Sequence, residues 1–336
     1  MAVTIKDVAA LAGVSPSTVS RVCTGSSSIS KETRDRVRQV MAQLGYEPNS
    51  PSAPQPRSTR TFAVVNPPSS REAYGNPFFM EAIRGISEFC NPRKIAISVV
   101  TGSDIEEILL AVKNLVPLVD GFIMLYSRKD DPVVEYLCDM GILYVVVGTP
   151  FQLRNETICV DNDNLQSSRE ATDYLYSLGH RKIGFLGSDS SYHFAQERKA
   201  GYQLSMLQHD LPIRPEHMLE IIDILEEGSE RFRSFVLQSD PPTAVLASED
   251  ILALALARVC IEEGFSVPED ISIISHNNSI FTRLSSPGLT CVDNNSFQLG
   301  YEAASQVLNH LENSNLMATR TLVPHRFVER GSCKKI

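Results

Sequence analysis

From residue 61 onward, short apolar runs alternate with helical patterns of ten or more residues. That alternation restricts the chain to parallel sheets covered on both faces. The strands read Phe62 to Val65, Ala96 to Val100, Gly121 to Leu125 and Tyr144 to Val147. Between them the helical stretches are Phe78 to Phe89, Ile105 to Leu115 and Val133 to Met140. After residue 160 the pattern restarts. A helix from Leu165 to Leu178 leads to strands Ile183 to Leu186, Ala244 to Ala247 and Ile271 to Ile274. Helices Gln196 to Gln208 and Leu252 to Glu263 lie among these strands. Two such runs predict an α/β body of two lobes, with small molecules held in the cleft between them.

The first sixty residues follow another rule. They read as three short helices. Thr4 is placed to cap the first, which Gly13 ends; Ser15 caps the second, with Pro16 at its first position. Ser30 caps the third, whose apolar stripe is Val37, Val40, Met41 and Leu44. Two helices across a glycine turn, braced by a third, make a helix-turn-helix unit. Its second helix would offer Ser17, Thr18 and Arg21 to base edges, arginine being the side chain that best reads guanine. Charge agrees. Residues 1–60 carry eight basic and four acidic groups, a net +4, which leaves −13 for the rest of a chain whose total is −9. A basic head on an acidic body suits a phosphate-binding module. The competing reading of the head is a small helical oligomerisation module. Residues 50–60, with three prolines, read as a hinge linker.

Other classes find no support. No run of 18 apolar residues and no signal peptide is visible, which predicts a cytoplasmic protein without a membrane partner. The seven cysteines show no metal or redox spacing and read as free thiols. No Gly-rich phosphate loop follows either lobe's first strand. His180 reads as a helix-end cap, His193 as a loop residue, and His276 as the end of a strand. No catalytic group, metal or cofactor is expected. Asp161, Asn162, Asp163 and Asn164 form a polar cluster suited to capping and to ligand or hinge hydrogen bonds. Polar groups at strand ends, namely Asn66, Tyr74, Asn76, Arg198, Asn277 and Asp293, lie beside Phe78 and Phe151. Together they suit a sugar, which needs paired donors and acceptors and an aromatic face.

The runs Val3-Thr4-Ile5-Lys6-Asp7-Val8-Ala9, Ala12-Gly13-Val14-Ser15 and Thr18-Val19-Ser20-Arg21-Val22 resemble the LacI/GalR family of bacterial repressors. So do Ser30-Lys31-Glu32-Thr33, Leu44-Gly45-Tyr46-Glu47-Pro48-Asn49, Asn76-Pro77-Phe78-Phe79 and Arg198-Lys199-Ala200-Gly201-Tyr202. Within the family the chain is most similar to Gram-positive maltose-operon repressors. The resemblance implies a helix-turn-helix domain at 1–49, the hinge at 50–60, and a two-lobed, periplasmic-binding-protein-like core at 61–336. Lobe one would comprise 61–160 and 291–320, and lobe two 161–290 and 321–336. Contacts to double-stranded operator DNA would come from Thr4, Lys6, Ser15, Pro16, Ser17, Thr18, Ser20, Arg21, Ser30, Thr33, Tyr46 and Asn49. A small sugar effector, maltose or a maltooligosaccharide, would meet Tyr74, Asn76, Phe78, Phe151, Asp163, Arg198, Asn277 and Asp293. The alternatives are another sugar or a phosphorylated metabolite, or a sugar-binding protein with weakened DNA binding. The resemblance also implies a homodimer, with Phe79, Ile83 and Ile86 as its candidate surface. The chain departs from the family at Cys23 and Thr24. Its hinge, Ala53-Pro54-Gln55-Pro56-Arg57-Ser58, lacks the leucine that the family wedges into the minor groove.

Overall fold

The computed structural model describes residues 5–15, 18–19, 22, 31–44, 59–69, 74–152, 154–224 and 228–336. It divides into two compact units, 1–58 and 59–336. In the first unit, α1 (Ile5–Ala12) and α2 (Lys31–Leu44) enclose a core of Val8, Ala9, Ala12, Val19, Val22, Val37 and Val40. Gly13 has φ +67, a left-handed turn that a side chain would strain.

The second unit contains two six-stranded sheets, each covered by helices on both faces. The first sheet runs β11-β5-β4-β3-β1-β2. Its strands are β1 (Thr61–Val65), β2 (Ala96–Val100), β3 (Gly121–Met124), β4 (Tyr144–Val147), β5 (Ile158–Asp161) and β11 (Arg320–Leu322), all parallel. The second runs β12-β10-β9-β8-β6-β7. It comprises β6 (Ile183–Gly187), β7 (Met218–Glu220), β8 (Ala244–Ala247), β9 (Ser272–His276), β10 (Thr290–Asp293) and β12 (Arg326–Val328). Only β12 pairs antiparallel, because the chain returns to it directly from the other lobe. The helices are α3 (Pro77–Cys90), α4 (Ile105–Leu115), α5 (Pro132–Asp139), α6 (Asn164–Ser177), α7 (His193–Gln208), α8 (Gly228–Val236), α9 (Asp250–Glu262), α10 (Ile280–Leu284) and α11 (Ser296–Glu312). The central strands are buried along their whole length, so they read as unbroken apolar runs.

The chain crosses between lobes three times, after β5, β10 and β11. The second crossing was expected near Cys291. It comes at Asn294 instead, because Cys291 to Asp293 still pair with β9 or β12. The third follows Leu322, since Arg320 to Leu322 pair with β5. One side chain joins all three crossings. Asn162 Nδ2 donates to Asn294 O at 3.0 Å and to Val323 O at 2.8 Å. Asn162 is 2 % exposed, so neither carbonyl has water as a ready substitute.

Two glycines let α3 and α11 touch backbone to backbone. A Cβ on Gly85 would stand 1.9 Å from Phe297 O, and one on Gly300 would stand 2.0 Å from Ala82 O. This contact removes two of the three residues of the expected dimer surface: Phe79 and Ile86 are buried, 5 % and 0 % exposed, in their own lobe's core with Leu299 and Ala303, while Ile83 is only partly buried. Gly201 does the same for α7 against α6, where an added Cβ would meet Leu165 O at 2.1 Å. Gly85→Ala should therefore destabilise the body by about 1–3 kcal/mol in urea unfolding. Gly75→Ala, with nothing within 4 Å, should stay within about 0.5 kcal/mol. Equal effects would refute the close-contact argument.

Candidate functional site

In the N-terminal unit, Ser15 caps the helical segment that follows it. Its Oγ accepts from Thr18 N at 3.2 Å and meets Thr18 Oγ1 at 2.9 Å. Val19 and Val22 are buried against Val8 and Val37. A helix, a left-handed glycine turn and a capped second helix give the helix-turn-helix arrangement. Ser15 is exposed, Thr18 and Thr33 are half-buried, and Lys6 lies in α1. Thr4, Pro16, Ser17, Ser20, Arg21, Ser30, Tyr46 and Asn49 lie outside the described residues, as does the hinge stretch 53–58.

In the body, the strands' C-terminal ends face an interlobe cleft of about 600 Å³, open solvent included. Lobe one supplies Asn76, Phe78, Tyr126 and Ser127, and lobe two Tyr192, Phe194, Arg198 and Glu249. Asn76 caps α3, its Oδ1 accepting from Phe78 N at 3.1 Å, and its Nδ2 donates across the cleft to Glu249 Oε2. The lobes also meet through backbone. Lys129 N donates to Ser191 O at 3.0 Å, and His193 N to Ser127 O at 3.1 Å. The Tyr126 and Tyr192 rings meet edge-on at 6.4 Å, and Tyr192 stacks on Phe194 at 5.9 Å.

Arg198 is the centre of the polar floor. It is 4 % exposed, donates through Nε to Asn164 Oδ1 at 3.0 Å and through Nη1 to Ser248 O, and lies over the Phe194 ring at 4.8 Å. Burial pulls its guanidinium down to about 10, while the nearby carboxylates of Glu249, Asp161 and Asp250 favour its charge. The same burial raises the Glu249 carboxyl above its ordinary range, against the attraction of Arg198. Asp161 is raised to about 6, first by burial and further by Glu197, although Thr149 Oγ1 donates to it at 2.7 Å. Its other oxygen accepts from Asn162 N at 2.7 Å and Asn164 Nδ2 at 3.1 Å.

Of the eight expected effector residues, Asn76, Phe78, Arg198 and Asn277 line this cleft. The other four do not. Tyr74 is 62 % exposed and outside it. Phe151 packs on the His193 ring at 4.8 Å, in the interlobe seam. Asp163 is exposed and caps α6 by accepting from Gln166 N at 2.9 Å. Asp293 accepts from Asn278 Nδ2 at 2.9 Å and lines a groove beside α10 that adjoins the cleft at Phe78 and Asn277. Sequence reasoning missed Tyr126, Tyr192, Phe194 and Glu249. Glu249 follows the apolar run Ala244–Ala247 by two residues, the same strand-end signal that singled out Asn277.

One histidine reading is corrected and one is extended. His193 opens α7, which begins three residues before the expected Gln196. Its Nε2 meets Arg154 Nη2 at 2.9 Å. His180 closes the end of α6 as expected, its N donating to Leu175 O at 3.2 Å beside the left-handed Gly179; its ring also bridges Thr243, Ser272 and the Lys334 carbonyl, tying down the C-terminal segment. The six described cysteines are free, and no metal-binding cluster occurs among the described residues. No described helix is long and apolar enough to cross a membrane.

Residues 4–49 match the model of bacterial regulatory proteins, lacI family, and residues 172–333 match a periplasmic binding protein-like domain. The HTH-type transcriptional regulator MalR of Streptococcus pneumoniae is 33 % identical over 98 % of this chain and 100 % of its own. The chain belongs to the lacI family. A LacI transcriptional regulator from Bacillus cereus subsp. cytotoxis has 36 % identity and a TM-score of 0.80, covering 83 % of this chain and 100 % of that one. A CelR–cellobiose complex has 27 % identity and a TM-score of 0.77, over 98 % and 99 % of the two chains. This lacI-family chain is thus a DNA-binding transcriptional regulator with a periplasmic-binding-like body.

The buried carboxyl at its first crossover has a measurable consequence. A carboxyl whose folded value is raised binds a proton before the unfolded chain does, so its ionisation costs stability as pH rises through about 6. Asp161→Asn carries no such cost. The stability of Asp161→Asn relative to the parent should therefore increase from pH 4 to pH 7 in denaturant titrations. A difference independent of pH would show that Asp161 is not protonated on acidification in this range.

Proposed function

We propose that this regulator represses sugar-utilisation genes and is controlled by a neutral sugar in the interlobe cleft, maltose or a maltooligosaccharide. The observation that carries the reading is the charge of the cleft. Arg198 is the only basic side chain among its described lining residues, and it already serves Asn164 and Ser248 while facing Glu249 and Asp161. A phosphorylated metabolite on this floor would add negative charge beside these carboxylates, where the one lining cation is already engaged. A neutral polyol instead uses the remaining Arg198 donors, the Asn76 and Asn277 amides and the Glu249 carboxylate, with its ring faces on Phe78, Tyr192 and Phe194. The similarity to MalR and to a regulator solved in complex with cellobiose supports a glucose disaccharide.

In this reading Arg21, with Ser17 and Thr18, recognises operator bases, and the chain acts in the cytoplasm as a homodimer. One helix-turn-helix covers a short half-site, so useful specificity needs two. The second copy is received on α10, where Ile280, Phe281 and Leu284 are 54 %, 50 % and 75 % exposed. Sedimentation should give a dimer that Leu284→Asp splits; a monomeric parent would sink this assembly.

Arg198→Lys tests the effector reading. It keeps the charge and loses the fork. Maltose affinity should fall roughly 10- to 150-fold, the worth of about 1.5–3 kcal/mol in charge-assisted hydrogen bonding. Operator affinity without sugar should be nearly intact, and its response to maltose lost. Unchanged maltose affinity by calorimetry, with an unchanged response, would remove Arg198 from the role. Tight binding of a sugar phosphate, with none of maltose, would overturn the neutral-sugar reading.

A further inference from the structure

Beyond the Arg198 floor the cleft opens into a second chamber, of about 950 Å³ with open solvent included. The two chambers share Asn76, Tyr192, Phe194 and Glu249. The stacked Tyr192 and Phe194 rings therefore border both, as a continuous aromatic ridge. The outer chamber lies at the C-terminal ends of β6, β7 and β8. Aliphatic groups, Ile221, Ile222, Ile251 and Leu252 among them, form one part of its lining. Ser188, Asp189, Asp223 and Glu249 form another, and no basic residue lines it among the described residues.

We propose that the outer chamber is an extension subsite, which takes the third and later units of a linear neutral oligosaccharide whose first two units fill the inner cleft. The inference rests on the neutral-sugar reading and deepens it. A sugar unit has apolar C–H faces and hydroxyl edges, and this lining offers a matching surface to each. An alkyl tail would bury the hydroxyl and carboxylate edge of this lining without using it, and an anion would meet its carboxylates with no cation. The shared aromatic pair gives the two chambers a common apolar border. Ile222 is 70 % exposed at the outer chamber, so the fold itself does not depend on burying it.

The test is a calorimetric series on the full chain, with maltose, maltotriose and maltotetraose and, in parallel, cellobiose and cellotetraose. Affinity should rise about tenfold or more from the disaccharide to the tetrasaccharide of the series that binds. Ile222→Arg sets a long side chain at an exposed position, where folding tolerates it. It should remove that gain and leave disaccharide affinity unchanged. Disaccharide binding with no gain on lengthening would overturn the subsite and leave the sugar reading standing. So would a gain that survives Ile222→Arg together with Ile251→Arg. Failure of every sugar in both series to bind would overturn both.

Discussion

The side-chain amide of Asn162 carries the geometry of the body. Two lobes joined by three separate strands could hinge independently at each. Here one buried amide on the first crossover donates to a backbone carbonyl on each of the others. The second crossover is held again by Asn294 Nδ2, which donates to Asn277 Oδ1 at 2.8 Å. Asn277 and Asn278 have φ of +90 and +54, so β9 ends in two left-handed residues that bring an amide into the cleft. The crossovers, the end of β9 and the floor of the cleft thus form one hydrogen-bonded network. In such a network the loss of one partner strands its neighbours.

The network explains how a ligand could act at a distance. Arg198 belongs to lobe two and reaches Asn164, directly after the first crossover, while Asn76 of lobe one reaches Glu249 of lobe two. A sugar that inserts between Asn76 and Glu249 must replace that contact with its own hydroxyls. It thereby changes the relative energy of open and closed lobes, which is the differential affinity any population shift needs. Coupling to DNA follows when the lobes' arrangement sets the spacing of two heads in a dimer.

The central strands were legible because they are buried on both faces: Phe62 to Val65 and Tyr144 to Val147 appear in the structure within one residue of the sequence reading. The head was legible for a different reason, since Gly13 and Ser15 mark a turn and a cap by chemistry that needs no tertiary context. The three-residue strands β7, β11 and β12 are half-buried or exposed and mixed in polarity, and they exist only through their partners, so no local pattern announced them. The site was half legible. Asn76, Phe78, Arg198 and Asn277 follow from strand ends and helix starts. Tyr126 meets Tyr192 only because the lobes close on one another, a contact between residues 66 positions apart in sequence, and Phe194 joins them by stacking on Tyr192. Phe79 and Ile86 misled as a surface because the tight α3–α11 contact depends on Gly85 and Gly300, which pair across more than two hundred residues.

The central claim is that operator recognition by the head is governed by a neutral sugar in the body. Selection of bound sequences from random double-stranded DNA, run on the full chain with and without maltose, tests it most directly. The account predicts a two-fold symmetric site with half-sites in register with the DNA turn, whose recovery differs between the two arms. Recovery of no common sequence, or of the same sequence with equal yield with and without the sugar, would contradict it.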